Sequence, residues 1–384
     1  MSRRKLSISI PYKRRLDNLR LVFEGLAHQT LERDQFEVVV GAMEYEEEFF
    51  GLCREFSDRI DILAVVSSRD FDIPNARNLA MRQATGEVIV QMDADTLLPP
   101  DALRNLYDRH FSFGQNICVV GQVVGYGNNN DGDVATVESR PYGHYAETLA
   151  TLSASPQWPL DPRFRVEHVI PWAFGWTGLI AVPNRLVREH SLYFDESFAG
   201  WGVDDLEWSY RLCAAGIPIV LRPDVYALHL PHSRDAAANR VTESGNYRRF
   251  LNKWPARDVE LAYVFGDVDA NGLFLAYQRE LTSAGRGDQL VSLRGSRGGE
   301  AVVLLGARLN AEGRPADPAA ARLLAGEPAE ILPLTGLALP YQDKTFAQCH
   351  IMPSVASLSE RYRDAVRTEA ERLGKQVLLV PDAG

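Results

Sequence analysis

The chain is poor in cysteine and has no long apolar run. Its 384 residues include four cysteines, at positions 53, 118, 213 and 349, and no two of them form a Cys-x-x-Cys pair. A disulfide framework and a structural zinc site are therefore not supported, and reduced thiols are expected. No apolar stretch approaches the roughly 20 residues that a membrane-spanning helix needs. Residues 6–10 are too short an apolar run for the core of a signal peptide. The sequence therefore predicts a cytoplasmic protein without a transmembrane segment.

Basic residues are fewer than acidic residues. The chain has 41 Lys and Arg against 51 Asp and Glu, a formal net charge of -10. An acidic surface repels phosphate backbones, so nucleic acid is not expected as a partner. A nucleotide can still bind, because it needs only a local positive or metal-bearing site. With 46% hydrophobic and 24% charged residues the composition is that of a globular protein, and the length suggests two domains.

Short apolar runs alternate with helix-period stretches through the first hundred residues. Strands are predicted at 6–10, 36–40, 60–66 and 88–92, and helices at 16–29, 44–56 and 73–84, the last ended by Gly86 as a C-cap glycine. Such alternation predicts an α/β fold with a mostly parallel sheet. Ligands of such sheets bind beyond the carboxyl ends of the strands. Residues 11–15, 41–44, 67–70 and 93–95 should therefore lie along one edge.

The rest of the chain is less regular. Residues 127–132 predict a loop by composition. Helices are predicted at 147–152, 206–215 (ended by Gly216) and 240–254, and strands at 217–221 and 225–228. Beyond Trp254, strands at 261–265, 301–305 and 376–380 and helices at 273–284, 319–325 and 357–373 indicate a small second α/β unit. The predicted domains are residues 1–254 and 255–384.

Two carboxylates, Asp93 and Asp95, follow the fourth predicted strand directly. Carboxylates at i and i+2 at a strand end can both face the cleft and share a divalent cation and the hydroxyls of a ribose. Their oxygens suit Mg²⁺ or Mn²⁺ bound together with a diphosphate. The alternative is structural, because acidic residues after strands often cap the next helix.

With the residues before this pair, the sequence resembles glycosyltransferase family 2. Ala76-Arg77-Asn78, Gly86-Glu87, the apolar strand 88–92 and Asp93-Ala94-Asp95 stand in the family's order, and residues 7–12 match its usual start. The resemblance implies a GT-A fold, a Rossmann-like, mostly parallel sheet that binds a nucleotide-diphospho-sugar, followed here by the small C-terminal α/β unit. It implies donor contacts from Pro11, Tyr12, Arg14, Arg77, Asp93 and Asp95. The alternative for Arg77 is an exposed helix arginine.

A second motif, Gly200-Trp201-Gly202-Val203-Asp204-Asp205, follows Phe174-Gly175-Trp176-Thr177-Gly178. It resembles the W-G-x-E/D-D motif of the β-1,4-galactosyltransferase and polypeptide N-acetylgalactosaminyltransferase group. The resemblance implies that Asp205 is the catalytic base, which removes the acceptor proton, and that Asp204 binds sugar. Substrate contacts are expected from Trp176, Gly178, Trp201 and Gly202. The alternative is an acidic first helical turn that favours the helix dipole.

The third motif, residues 229–235 (HLPHSRD), is similar to the metal-binding stretch of the same group. There a histidine precedes Ser-Arg-Asp, and another ligand lies three residues earlier. The resemblance implies His232 and His229 as metal ligands together with Asp95, and the nitrogen ligands favour Mn²⁺ over Mg²⁺. A structural histidine is the alternative at each position.

The family's pattern is broken after the second strand. Many members carry an Asp-Asp pair there that holds the base and ribose, whereas this chain reads Val40-Gly41-Ala42-Met43-Glu44. Glu44 is the candidate substitute. UDP is favoured by the resemblance alone, and the identity of the donor sugar stays open.

The C-terminal unit offers less chemistry. Residues 332–346 resemble late strands of Rossmann-like methyltransferases, but no glycine-rich cofactor loop precedes them, and residues 265–269 match such a loop poorly. A structural, acceptor-binding or oligomerisation role is expected.

Taken together, the motifs predict a metal-dependent, inverting glycosyltransferase that moves a hexose or N-acetylhexosamine from a UDP-sugar to an acceptor hydroxyl. The acceptor is a saccharide, a peptide, a lipid-linked saccharide or a small molecule. Two alternatives remain: a non-catalytic carbohydrate-binding or scaffold protein, and a haloacid-dehalogenase-like phosphatase, which also uses Asp-x-Asp but normally on its first strand. The sequence does not determine the oligomeric state.

Overall fold

The chain forms two compact units, the first ending at Asn246 and the second beginning at Tyr247. The computed structural model describes residues 4–67, 69, 72–125, 140–233, 236–324 and 329–381, without the side chains of residues 236 and 238. Several predicted features lie outside the described residues: the loop 127–132, Asp70 at the strand edge, Arg234 and Asp235 of the third motif, and the end of the helix predicted at 319–325.

The first unit alternates strands and helices as the sequence predicts. Its strands are β1 (Leu6–Tyr12), β2 (Phe36–Ala42), β3 (Ile62–Val66), β4 (Val88–Met92), β5 (Thr96–Leu97), β6 (Cys118–Gly125), β7 (Leu179–Pro183) and β8 (Ile219–His229). Its helices are α1 (Leu16–Ala27), α2 (Glu47–Phe56), α3 (Ile73–Gln83), α4 (Ala102–His110), α5 (Tyr142–Leu152), α6 (Asn184–Glu189) and α7 (Asp204–Ala214). Helix α8 (Ala236–Lys253) begins in this unit, and the last residue of the unit, Asn246, lies within this helix.

One eight-stranded sheet organises this unit, in the order β3-β2-β1-β4-β7-β6-β8-β5. Strands β3, β2, β1 and β4 are mutually parallel, and β7 then pairs antiparallel to both β4 and β6. Alternate residues of β1 pack in the core with apolar side chains of α1, α2 and α4. Because β3, β2, β1 and β4 are parallel, their carboxyl ends meet at one edge, as expected. The α/β architecture predicted from the sequence is confirmed.

Gly86 does not act as the helix cap that its position suggested. Helix α3 is capped at its start by the side chain of Asp72 and ends with Ala84 as its C-cap residue. Gly86 lies two residues further on, buried against β1, where its N–H donates to Oγ of Ser7 at 2.8 Å. A Cβ at this position would lie 2.6 Å from the carbonyl carbon of Leu6. The glycine is needed for this close backbone approach rather than for a left-handed turn.

Replacing Gly86 with alanine should destabilise the first unit by about 1–3 kcal/mol, the usual cost of overpacking a core. The new methyl group meets backbone atoms of β1, which cannot move without disturbing its pairing with β4. Urea unfolding measures the loss. Gly51→Ala is the matched control, because nothing lies within 4 Å of a Cβ there and Gly51 is inside α2. It should stabilise by roughly 0.5–1 kcal/mol. Equal effects of the two substitutions would contradict this account.

Strand β8 is continuous, whereas the sequence predicted two strands, at 217–221 and 225–228. It pairs in parallel with β6, and the register shifts so that Gly121 faces Arg222 while Gln122 faces Tyr226. The residues in between include Pro223, which has no N–H to give to the ladder. The predicted break is thus a local irregularity inside one strand, and the strand carries on to His229.

The second unit is a smaller α/β structure. It contains α9 (Arg257–Phe265), α10 (Asp267–Gly285), β9 (Gln289–Arg297), β10 (Glu300–Leu309), α11 (Pro318–Leu323), β11 (Glu330–Leu332), β12 (Phe346–Ile351), α12 (Glu360–Leu373) and β13 (Gly374–Leu379). The sheet order is β11-β9-β10-β12-β13, with an antiparallel β9–β10 pair and parallel β10, β12 and β13. In neither unit do the described residues include a helix with the length and apolar character that crossing a membrane requires.

The strand predicted at 261–265 is wrong, since these residues belong to α9. So short an apolar run fits a helix or a strand equally well. The same helix buries Glu260, whose Oε1 accepts the N–H groups of Gly336 and Leu337 at 2.7 Å each. Burial raises the pKa of Glu260 to about 7, although these backbone donors oppose the shift. Residues 265–269 join α9 to α10, so they lack the strand that a dinucleotide-binding loop follows.

Candidate functional site

The candidate site lies where β4 ends and where β5 and β8 meet. Asp93 and Asp95 follow β4, and Thr96 of β5 pairs with His229, the last residue of β8. The N–H of Leu230 donates to the carbonyl oxygen of Asp95 at 2.8 Å. These backbone contacts bring the third motif to the first, although the two are far apart in the sequence. Of the two carboxylates, Asp95 is buried, whereas the side chain of Asp93 is partly open to solvent.

Asp95, His229 and His232 form one cluster, as the sequence analysis anticipated. Nε2 of His229 lies 3.7 Å from Oδ1 of Asp95, and Nε2 of His232 lies 3.3 Å from Oδ2. One ligand atom from each residue can be chosen so that all three lie within 4.8 Å of one another. A carboxylate oxygen and two imidazole nitrogens at this spacing are a donor set suited to Mn²⁺ or a similar divalent ion.

Two features of the cluster point to a cation rather than to simple hydrogen bonding. Nδ1 of His232 lies 2.8 Å from the carbonyl oxygen of Ser233 and donates to it, so Nε2 faces Asp95 and, in the neutral ring, has the lone pair that a metal needs. Burial lowers the pKa of His232 and favours this neutral form, with Asp95 opposing the shift. Within the described chain, Oδ1 of Asp95 is buried without a hydrogen-bond partner. A metal ion between these atoms would satisfy both groups, so the residues fit a metal.

Arg15 is part of this site and was missed by the sequence analysis. It is the N-cap residue of α1, and its Nη1 donates to Oδ2 of Asp95. The available signal was topological: residues 11–15 follow β1 at the same sheet edge as Asp95. The family resemblance directed attention to Arg14 instead, one residue earlier.

The loop of the second motif is held in an unusual backbone conformation. Gly200, Gly202 and Val203 have φ values of 76°, 93° and 73°, in the left-handed region, and α7 begins directly afterwards. The amide of Asn246 donates to the carbonyl oxygen of Gly202 at 2.9 Å. Thr242 likewise donates to the carbonyl oxygen of Trp201 at 3.0 Å. This bracing by α8 presents the Trp201 side chain, which is 45% exposed, on a fixed loop.

A buried arginine joins the first motif to the second. Arg77, on α3, forms an ion pair with Asp204, donates to the hydroxyl of Thr177 at 2.6 Å and lies 3.4 Å from Asp93. It is buried and lies over the ring of Phe194, so the alternative of an exposed helix arginine is wrong. Asp204 is buried as well. Its carboxylate pairs with Arg77 in this structure, and its sugar contact stays a prediction.

Asp205 occupies the first turn of α7 and is half-buried. Its Oδ1 accepts the N–H of Leu206 at 2.9 Å, and its Oδ2 lies 3.4 Å from the N–H of Thr177. These contacts fix the carboxylate beside Trp176 and Gly178. The guanidinium of Arg163 lies 3.5 Å from the centre of the Trp176 ring and covers one of its faces. Two backbone N–H groups thus position the Asp205 carboxylate, whereas Asp204 pairs with Arg77.

The residues expected to contact the nucleotide differ in their burial and in their contacts. Arg14 and Glu44 form a two-point ion pair, with distances of 3.0 and 3.3 Å, beside Pro11 at the end of β1. Tyr12 is fully buried, because its ring stacks on Phe49 and its hydroxyl donates to Glu46. Strand alternation turns the Tyr12 side chain into the core, so a nucleotide contact from this residue would come from its backbone, and that contact stays a prediction.

The chain is similar to known glycosyltransferases. Residues 7–160 match the model of Glycosyl transferase family 2. Validoxylamine A glucosyltransferase of Streptomyces hygroscopicus subsp. jinggangensis is 26% identical, and the alignment covers 97% of this chain and 96% of that protein. The protein of the same name from subsp. limoneus is 28% identical over 74% of this chain and 65% of its own. The crystal structure of S. aureus TarS 1-349 in complex with UDP-GlcNAc has a TM-score of 0.50 and 13% identity, covering 73% and 80% of the two chains.

Proposed function

We propose that the chain, whose residues 7–160 match the model of Glycosyl transferase family 2, is a glycosyltransferase that catalyses a metal-dependent, inverting transfer from a UDP-sugar. A hexose or N-acetylhexosamine would move to an acceptor hydroxyl. The observation that carries the proposal is the convergence of three distant motifs at one sheet edge: Asp95 with His229 and His232, and Asp93 joined to the Asp204–Asp205 turn through Arg77.

Asp95, His229 and His232 would hold the metal, which would stabilise the charge on the departing diphosphate. Asp93 would contact the donor ribose or the metal. Asp205 takes the proton of the acceptor hydroxyl as that oxygen bonds to the anomeric carbon and the bond from this carbon to the diphosphate breaks. Trp201 would offer an aromatic face to a sugar, and Arg14 and Glu44 would contact the nucleotide.

Glucose as the donor sugar and validoxylamine A as the acceptor are the first substrates to test. The curated relative aligned over 97% of this chain is named a validoxylamine A glucosyltransferase, and this name motivates the choice. Galactose and N-acetylgalactosamine remain in the donor set. The phosphatase alternative loses its support, because Asp93 and Asp95 follow the fourth strand rather than the first.

A donor screen tests the proposal. UDP-glucose, UDP-galactose and their N-acetylamino forms are offered with small polyol and saccharide acceptors, and UDP release is recorded. We expect release to require both an acceptor and Mn²⁺, to stop with EDTA and to resume with added Mn²⁺. NMR of the product should show the anomeric configuration opposite to that of the donor. Undiminished transfer in EDTA would disprove the metal dependence, and a retained configuration would disprove the inverting mechanism.

A further inference from the structure

The carboxylate of the candidate metal site is already paired with a positively charged side chain of the same chain. Nη1 of Arg15 donates to Oδ2 of Asp95, the oxygen that lies 3.3 Å from Nε2 of His232. Among the residues that the structure describes, Asp95 is the one side-chain partner of Arg15. The side chain of Asp95 is 1% exposed and that of Arg15 is 42% exposed. The anchored partner is therefore the carboxylate, and the guanidinium is the partner with room to move.

If a divalent ion binds at this site without a nucleotide, the site has an excess of positive charge. Asp95 supplies one negative charge, and neutral imidazoles supply none, so a metal ion and the Arg15 guanidinium would repel each other at short range. A diphosphate provides the missing negative charge. The guanidinium matches phosphate oxygens as well as carboxylate oxygens, because its donors form a planar fork. Arg15 is also the N-cap of α1, whose N-terminal partial positive charge favours an anion in the same place.

We propose that Arg15 exchanges partners, holding Asp95 when the site is free of ligands and binding diphosphate oxygens when metal and nucleotide enter together. This inference rests on the proposed function, which supplies the metal and the diphosphate. Its consequence is cooperative binding: the metal is held weakly alone and tightly with the nucleotide. Because binding free energies are linked, the nucleotide gains from the metal by the same factor.

The test is Mn²⁺ binding to the full chain, measured by titration of free Mn²⁺ with and without UDP, independently of sugar transfer. In the wild type, UDP should tighten Mn²⁺ binding by about tenfold or more, a usual allosteric coupling. Arg15→Gln should bind Mn²⁺ alone more tightly than the wild type, and its gain from UDP should be smaller, with the remainder coming from the direct attraction between the metal and the diphosphate. Arg15→Lys should keep much of the gain, since the charge remains. Arg20→Gln is the matched control, because Arg20 lies further along α1 and pairs with Glu55 on the surface.

Arg15→Gln should strengthen Mn²⁺ binding in the absence of UDP and reduce the gain from UDP. These two opposite effects separate the exchange from a merely structural role. If Arg15→Gln binds Mn²⁺ alone no better than the wild type, or keeps the full gain from UDP, the exchange is disproved. Absence of Mn²⁺ binding in the wild type would disprove it too. If the expected coupling appears while no donor supports transfer, the proposed function fails and the exchange stands. If transfer needs Mn²⁺ but Mn²⁺ binding is unaltered in Arg15→Gln, the exchange is disproved and the proposed function stands.

Discussion

Asp205→Asn should lower kcat for sugar transfer about 10²- to 10⁴-fold, the usual contribution of a general base. The asparagine keeps the size and the hydrogen-bond acceptor that meets the N–H of Leu206, so the start of α7 should stay in place. What it loses is the ability to take a proton. Binding of Mn²⁺ and UDP should be unchanged, because the metal cluster lies at Asp95 rather than at this turn.

Single-turnover transfer and UDP titration, measured on the same preparation, separate these two effects. Asp269→Asn is a suitable control, because Asp269 is an exposed aspartate in the first turn of α10, in the second unit. It makes the same chemical change in the first turn of a helix and should leave kcat unaltered. Near-normal turnover of Asp205→Asn would remove Asp205 from the role of base and reopen the search for the proton acceptor.

His232→Ala should lower kcat/KM at limiting Mn²⁺ by at least about 100-fold, because even the outer partners of metal ligands change metal affinity about 10- to 100-fold. The loss should shrink as Mn²⁺ is raised, since Asp95 and His229 remain to hold the ion. That recovery distinguishes a lost ligand from a misfolded protein.

The same titration tests His229 separately, as His229→Ala. The control is His190→Ala, because His190 is exposed at the end of α6, away from the cluster. A His232→Ala enzyme whose Mn²⁺ dependence matches the wild type would exclude His232 from the metal site. In that case the lone pair of Nε2 facing Asp95 would need another explanation.

Strand ends and motif order made much of the candidate site predictable. Carboxyl ends of parallel strands meet at one edge, so the placement of Asp93 and Asp95 beside residues 11–15 followed from alternation alone. The meeting of His229 with Asp95 did not, because it depends on the two-residue strand β5, too short to leave a periodic signal. There only the family resemblance supplied the connection.

Partner choice among charged residues could not be predicted. Nothing in the sequence distinguishes Arg15 from Arg14, yet one contacts Asp95 and the other Glu44. The burial of Arg77 is of the same kind, since it results from packing against Thr177 and Asp204, a hundred or more positions away. Propensity and periodicity describe local structure, whereas these contacts depend on the tertiary fold.

The distances along the chain between Asp95, His229 and His232 have a thermodynamic consequence. An unfolded chain cannot bring these three ligands together, so the cation would bind the native state and ignore the denatured one. Its binding free energy then adds to the resistance of the first unit to heat and urea, by about 2.7 kcal/mol at a free concentration 100 times Kd. Melting curves recorded with Mn²⁺ and with EDTA should separate accordingly, and the separation should disappear in Asp95→Asn.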